Sequence, residues 1–285
     1  MWEVMMWPIA ACLLLPGLLV YLGLHVVRRG IIFIDIAMAQ MASLGVCFAV
    51  MKHLDPAGPV TFWISLGFTI LAAGLFAATG KRTGEVPQEA IIGIAYVVAA
   101  AASVILLSFS AEGDEQIKNM LVGNILLVTK EEIFRTLALF LGVGIFHWFA
   151  RRKFMQLSFD PAGAAGAMSV KGWDFLFYAS FGLVVTSFVQ IVGVLLVFTY
   201  LIVPAVCAIL VAKGFRLRLA VGVLISFVGG VTGLMISFYK DLPSGAAIVC
   251  VFGVLLLVAG VVAKVMGRKN GNSPPVAERD PRHHD

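Results

Sequence analysis

The chain has 285 residues, of which 60% are hydrophobic and 13% charged, with a formal net charge of +5. Soluble domains carry about a quarter charged residues, so this composition excludes one; it also lacks the alternating segments of about ten residues that mark a membrane β-barrel. Apolar runs of about 20 residues recur along almost the whole length and predict an all-α, polytopic membrane protein with about eight or nine spans.

In chain order the predicted spans cover residues 8–27, 31–51, 60–80, 88–109, 126–149 and 174–191, a short segment near 192–204, then 217–239 and 245–265. The start contains Glu3 and no basic leader, so the first span is expected to stay in the membrane. With the N-terminus outside, sixteen of the 21 Lys and Arg fall on the cytoplasmic side, among them Arg28, Arg29, Arg151, Arg152, Lys153, Lys213, Arg216 and Arg218. That asymmetry predicts a multi-pass protein with its N-terminus outside and its C-terminus in the cytoplasm. It also explains the positive charge as topology within membrane lipid, so no nucleic-acid partner is expected. The acidic run Glu112–Glu115 then belongs to an outer loop. Residues 1–266 read as one membrane domain, and 267–285, with Pro274-Pro275 and mixed charges, as a disordered cytoplasmic tail.

From Trp173 to Ala212 the only charged residue is Asp174. A single helix of that length would overshoot a bilayer core of about 30 Å, so the chain must turn within it. Gln190–Gly193 and Pro204 are the predicted breaks, because Gly permits and Pro forces a departure from helix. Broken helices at membrane depth persist only where protein or a cavity shields the backbone, which points to a transporter core rather than an anchor.

Few residues carry chemistry. Cys12, Cys47, Cys207 and Cys250 lie singly in apolar segments and read as small hydrophobes. The five histidines assemble no metal site: His25, His53 and His147 read as interfacial side chains, and His283 and His284 lie in the tail. Gly74 to Thr83 has five residues between its glycines, where a phosphate-binding loop requires four, and Arg82 follows Lys81. The chain therefore shows no nucleotide motif and is not expected to be an enzyme; if it pumps, a separate polypeptide uses the ATP.

The second span stands apart. Asp35 lies six residues past Arg29 and is either half-exposed at the interface or a functional charge within the membrane. Gln40 lies deeper and needs hydrogen-bond partners. Five residues apart, the two project about 140° from one another around a helix. Further on, Pro204-Ala205-Val206-Cys207-Ala208 leads to Lys213, Arg216 and Arg218, either a short cytoplasmic helix on which a partner docks or a loop with basic anchors. Asp241-Leu242-Pro243-Ser244-Gly245 has turn chemistry and reads as an outer turn open to a partner protein.

Together these segments resemble the membrane permease subunits of the metal-type (ABC-3, zinc/manganese) ATP-binding cassette importers, over about Pro16 to Val262. The resemblance is carried by Val27-Arg28-Arg29 with the Asp-containing helix that follows, Leu121-Val122-Gly123-Asn124-Ile125-Leu126, and Phe159-Asp160 leading to Trp173-Asp174. It continues in Val192–Val197, Ile202-Val203-Pro204-Ala205, and Ser237-Phe238-Tyr239 with the Asp241–Gly245 turn. It implies a homodimeric pore in a bacterial or archaeal cytoplasmic membrane, cytoplasmic ATPase subunits that use the ATP, and an extracytoplasmic binding protein that delivers the metal. No cofactor is then bound by this chain, and the cargo is a divalent ion, zinc or manganese.

By the same resemblance, Asp35 and Gln40 belong to the gate, with Asp35 a metal ligand. Pro204, Ala205, Ala208 and Lys213 belong to a coupling helix seated in the ATPase, and Asp241, Pro243 and Ser244 to the face that meets the binding protein. Family members commonly carry Asp-x-x-x-His in the second span; aligned on Gly45, this chain has Ile36 and Gln40 there, with Asp35 one residue early. A carboxamide is a poorer zinc ligand than an imidazole. The same architecture carrying a metal chelate therefore stays open, as does a secondary transporter or membrane scaffold with no ATPase.

Overall fold

A computed structural model describes residues 2–56, 58–80, 86–109, 125–160, 163–164, 169–265 and 267. Among them, nine helices are long and apolar enough to cross a membrane: α1 (Trp2–Arg29), α2 (Ile34–Met51), α3 (Pro59–Ala78), α4 (Gln88–Leu107), α5 (Lys130–Phe159), α6 (Val170–Val192), α7 (Val194–Val211), α8 (Phe215–Lys240) and α9 (Ser244–Val265). A short 3-10 turn, Ile125–Leu127, precedes α5, and the described residues contain no strand. The all-α polytopic fold is the one expected. Lys81, Arg82, the acidic run Glu112–Glu115, the segment Leu121–Asn124 and the tail from Arg268 lie outside the described residues.

The helices pack as two groups. α2, α3, α4 and α6 form one, α1, α7, α8 and α9 the other, and α5 lies against α1 and α6. α2 is the most enclosed helix, 67% buried, and it also touches α7 across the seam between the groups. Water-driven burial does not hold helices together in lipid, so close van der Waals packing at small residues does. Gly45 meets α3 so closely that a Cβ there would sit 2.5 Å from the Ser65 Cα. Thr69 and Thr186 share a 2.8 Å hydrogen bond between α3 and α6.

Glycines at positive φ set several of the chain's reversals, two of them at predicted features. Gly30, at φ 67°, ends α1: its N–H reaches the Val27 carbonyl and the Ile31 N–H reaches that of Val26, the paired bonds of a Schellman cap. Gly193, at φ 79°, separates α6 from α7, so the predicted break falls there. The other predicted break is corrected. Pro204 lies inside α7, which runs on to Val211 as a full-length helix instead of a short segment ending at 204. An internal proline removes one helical hydrogen bond without ending a helix whose neighbours hold it.

α5 also differs from expectation, continuing through Arg151, Arg152 and Lys153 to Phe159. At 1.5 Å per residue its 30 residues extend about 45 Å, well past a bilayer core of about 30 Å. Its start is fixed by a reciprocal cap in which Thr129 Oγ1 accepts the Glu132 N–H and Glu132 Oε2 accepts the Thr129 N–H.

Candidate functional site

The enclosed α2 presents its polar side chains to different neighbours. Asp35 sits in its first turn, where the helix dipole favours a carboxylate. The side chain is 0% exposed rather than half-exposed, and neither carboxylate oxygen has a hydrogen-bond partner among the described residues. Gln40 is also buried, and its Nε2 donates to Ser103 Oγ of α4 at 3.5 Å. Ser103 in turn donates to the Ala99 carbonyl at 2.9 Å. The two residues therefore share no partner, as their angular separation predicts. Ile36 faces an open groove of about 760 Å³ lined with Phe33, Glu89, Gly93, Tyr96 and Val97. Asp35, one residue earlier, does not line that groove and lies within the helix packing.

A second polar cluster lies where α1, α5 and α6 meet. Arg29 and Asp174 form a 2.8 Å ion pair, with the Arg29 side chain only 7% exposed. Arg29 Nε donates to Ser158 Oγ at 2.9 Å, and the guanidinium lies 4.0 Å from the centre of the Phe177 ring. The same Ser158 Oγ also shares a hydrogen bond with His25 Nδ1, 2.8 Å away. His147 Nε2 donates to Ser180 Oγ at 2.8 Å, because that hydroxyl already donates to the Phe177 carbonyl. Tyr21 joins the two histidines by ring contacts of 4.7 and 5.5 Å.

This cluster is not announced by the local sequence. His25 and His147 are buried, hydrogen-bonded residues instead of interfacial ones, and the Arg pair divides, Arg28 outward and Arg29 inward. Most of the partners stand more than a hundred residues away along the chain, for example Ser158 from His25, while Ser180 is 33 residues from His147. The only sequence signal was the lone charge of Asp174 in an apolar stretch.

The remaining candidates separate by exposure. Ala205 and Ala208 are 0% exposed and Pro204 is buried, so no separate short helix lined by these residues stands free; Lys213 is exposed in the connection to α8. In the turn between α8 and α9, Asp241 and Pro243 are exposed, and Asp241 takes a left-handed conformation with φ 52°. Ser237 Oγ donates to the Leu242 carbonyl at 2.6 Å and shapes the turn. Ser244 is buried, and its Oγ accepts the Ile125 N–H at 3.2 Å, so it joins this turn to the one before α5. Cys12, Cys47 and Cys207 are buried and Cys250 is exposed, and none of the four is in a disulfide.

Among the described residues no group of three or more His, Cys, Asp or Glu could hold a metal ion.

Comparison with known proteins follows this architecture. The pattern of the ABC 3 transport family matches residues 1–263. The chelated iron transport system membrane protein YfeD of Yersinia pestis is 27% identical over 237 residues, which cover 81% of this chain and 80% of that protein. The manganese transport system membrane protein MntC of Listeria monocytogenes is 26% identical over 247 residues, 86% of each. PsaBC from Streptococcus pneumoniae, solved in complex with a Fab, superposes with a TM-score of 0.76 at 22% identity, covering 90% of this chain and 91% of that one, a likeness of fold.

Proposed function

The chain belongs to the ABC 3 transport family, and from that premise we propose that it is the membrane-spanning permease of an ATP-binding cassette importer for a divalent transition-metal ion. The family match across residues 1–263 carries the reading. The cargo class is supported by the manganese and iron transport named for its relatives. Zinc and manganese are the proposed ions, and ATP is used by a cytoplasmic partner ATPase.

The geometry suggests how passage works. Asp35 and Gln40 are both enclosed by helices, so an ion reaches them only when the two helix groups move apart along the seam beside α2. Alternating access then follows from the partner ATPases closing and opening. A second copy of the chain is proposed against α4, the least enclosed helix at 22% buried, whose exposed Ile94 and Val97 flank the groove beside Ile36. The end of the molecule bearing Arg28, Arg151, Arg152 and Lys213 is assigned to the cytoplasm by its positive charge. Lys213 is placed to meet the ATPase there, while Pro204, Ala205 and Ala208 act from inside α7 by holding that helix. Asp241 and Pro243 are proposed to meet the binding protein outside, with Ser244 fixing their turn from within.

The test is uptake by proteoliposomes holding the permease, its ATPase and its binding protein, supplied with manganese, zinc or iron(II), free or chelated. ATP-dependent uptake of a free divalent ion is expected. Uptake that persists without the ATPase would favour a secondary transporter, and uptake of chelates alone would replace the cargo.

A further inference from the structure

The basic end of the molecule holds the helix ends that flank two connections, Phe159 of α5 and Val170 of α6 at the first and, on either side of residues 212–214, α7 and α8 at the second, and one cluster touches the helix ends at both. Ser158 and Phe159 end α5 just before the first, and Asp174 stands in the opening turns of α6 just after it. Phe215 begins α8 after the second and packs edge-on against His25 at 5.6 Å and Phe159 at 5.9 Å. Arg29 reaches Ser158 through Nε and Asp174 through Nη1, and so joins both flanks of the first connection.

Arg29 is also the last residue of α1, five residues before α2 begins at Ile34. The turn between them is held from the other side, where Glu89 Oε1 of α4 accepts the Ile32 N–H at 2.9 Å. Displacement of either flank must therefore move this turn or break bonds to a buried guanidinium. Membrane anchoring does not explain the arrangement, since the exposed Arg28 already supplies a positive charge at that level. Nor would a lysine reproduce it, because only the planar guanidinium donates to Ser158 and Asp174 together while stacking on Phe177.

We infer that Arg29 is a positioning residue for transport, passing movement of the cytoplasmic ends of α5, α6 and α8 to the turn that sets the placement of α2. The inference rests on the importer reading above.

The test uses the complete transporter in proteoliposomes, with assembly checked by co-purification of the ATPase. Arg29→Lys keeps the charge and loses the fork; metal uptake is expected to fall about ten-fold while ATP hydrolysis falls less than about two-fold, so that more ATP is consumed per ion. Ser158→Ala leaves the ion pair intact and gives a milder split of about three-fold, and it carries the test if the lysine variant fails to assemble. If uptake and hydrolysis fall in parallel in assembled complexes, or if uptake is unchanged in both variants, Arg29 is a packing residue and the inference is overturned. Wild-type vesicles without ATP-driven metal uptake would overturn the importer reading, and this inference with it, before any variant is compared.

Discussion

Arg29 and Asp35 stand six residues apart on either side of one turn, both buried and of opposite charge, and the fold treats them differently. Arg29 has an ion pair, a hydroxyl acceptor and an aromatic face. Asp35 has no hydrogen-bond partner among the described residues and only a helix N-terminus for company. Their shared position in the chain would suggest a mutual pair, yet Arg29 takes its carboxylate from Asp174 on α6. A buried charge that is paired, as Arg29 is through Nε and Nη1 although its Nη2 has no hydrogen-bond partner among the described residues, belongs to the architecture, while one left without a partner in a membrane helix costs stability and is a candidate functional site. The cluster around Arg29 ties helices together, and α2 is enclosed by helices with its carboxylate unpartnered among the described residues.

The largest expected effect breaks the engaged side. Asp174→Ala leaves the Arg29 guanidinium buried without its carboxylate, which should destabilise the protein by about 3 kcal/mol. Asp174 is 18% exposed, so the loss should lie at the low end of what buried pairs show. The check is the thermal midpoint of the purified protein in detergent, and a midpoint equal to wild type would show that the pair contributes nothing.

Asp35→Asn should behave in the opposite way. It removes no contact that the fold uses, so the midpoint should stay within about 1 kcal/mol of wild type, while metal uptake falls about ten-fold through loss of the only carboxylate within α2. A large drop in stability with normal uptake would reverse the comparison, making Asp35 structural.

Sequence periodicity and hydropathy make eight or nine spans legible because lipid imposes length and apolarity on each helix separately. What they could not show is which side of a helix meets protein. Asp35 was open to a half-exposed reading because its distance from Arg29 measures depth along the helix, whereas its burial is set by the helices that wrap α2. Pro204 looked like a terminus because the local rule is strong, but α1, α8 and α9 pack against α7 and carry it through. α5 was cut short at 149 because Arg151–Lys153 end its apolar run, although a helix can extend beyond the membrane with its basic side chains exposed. The Gly193 break was legible because its cause, a glycine in an overlong apolar stretch, is local. Of the candidate site, Asp35 and Gln40 were visible as polar residues in an apolar span, while Ser103, the partner of Gln40, lies 63 residues away with nothing local to announce it.

The smallest expected effect concerns Gln40, which stands between the two regimes. Its hydrogen bond to Ser103 is long, at 3.5 Å, and Ser103 keeps its own bond to Ala99 when the amide is removed. Gln40→Ala should therefore cost no more than about 1 kcal/mol of stability, which makes any change in transport readable as chemistry. Gln40→His sharpens the point by placing an imidazole where a carboxamide now stands. An imidazole binds zinc well and a carboxamide poorly, so the ratio of zinc to manganese uptake in competition should rise about three-fold over wild type. Gln40→Ala should leave that ratio unchanged while lowering both rates. An equal ratio in the histidine variant would mean that position 40 does not meet the ion, and that selection among metals is made before the cargo reaches α2.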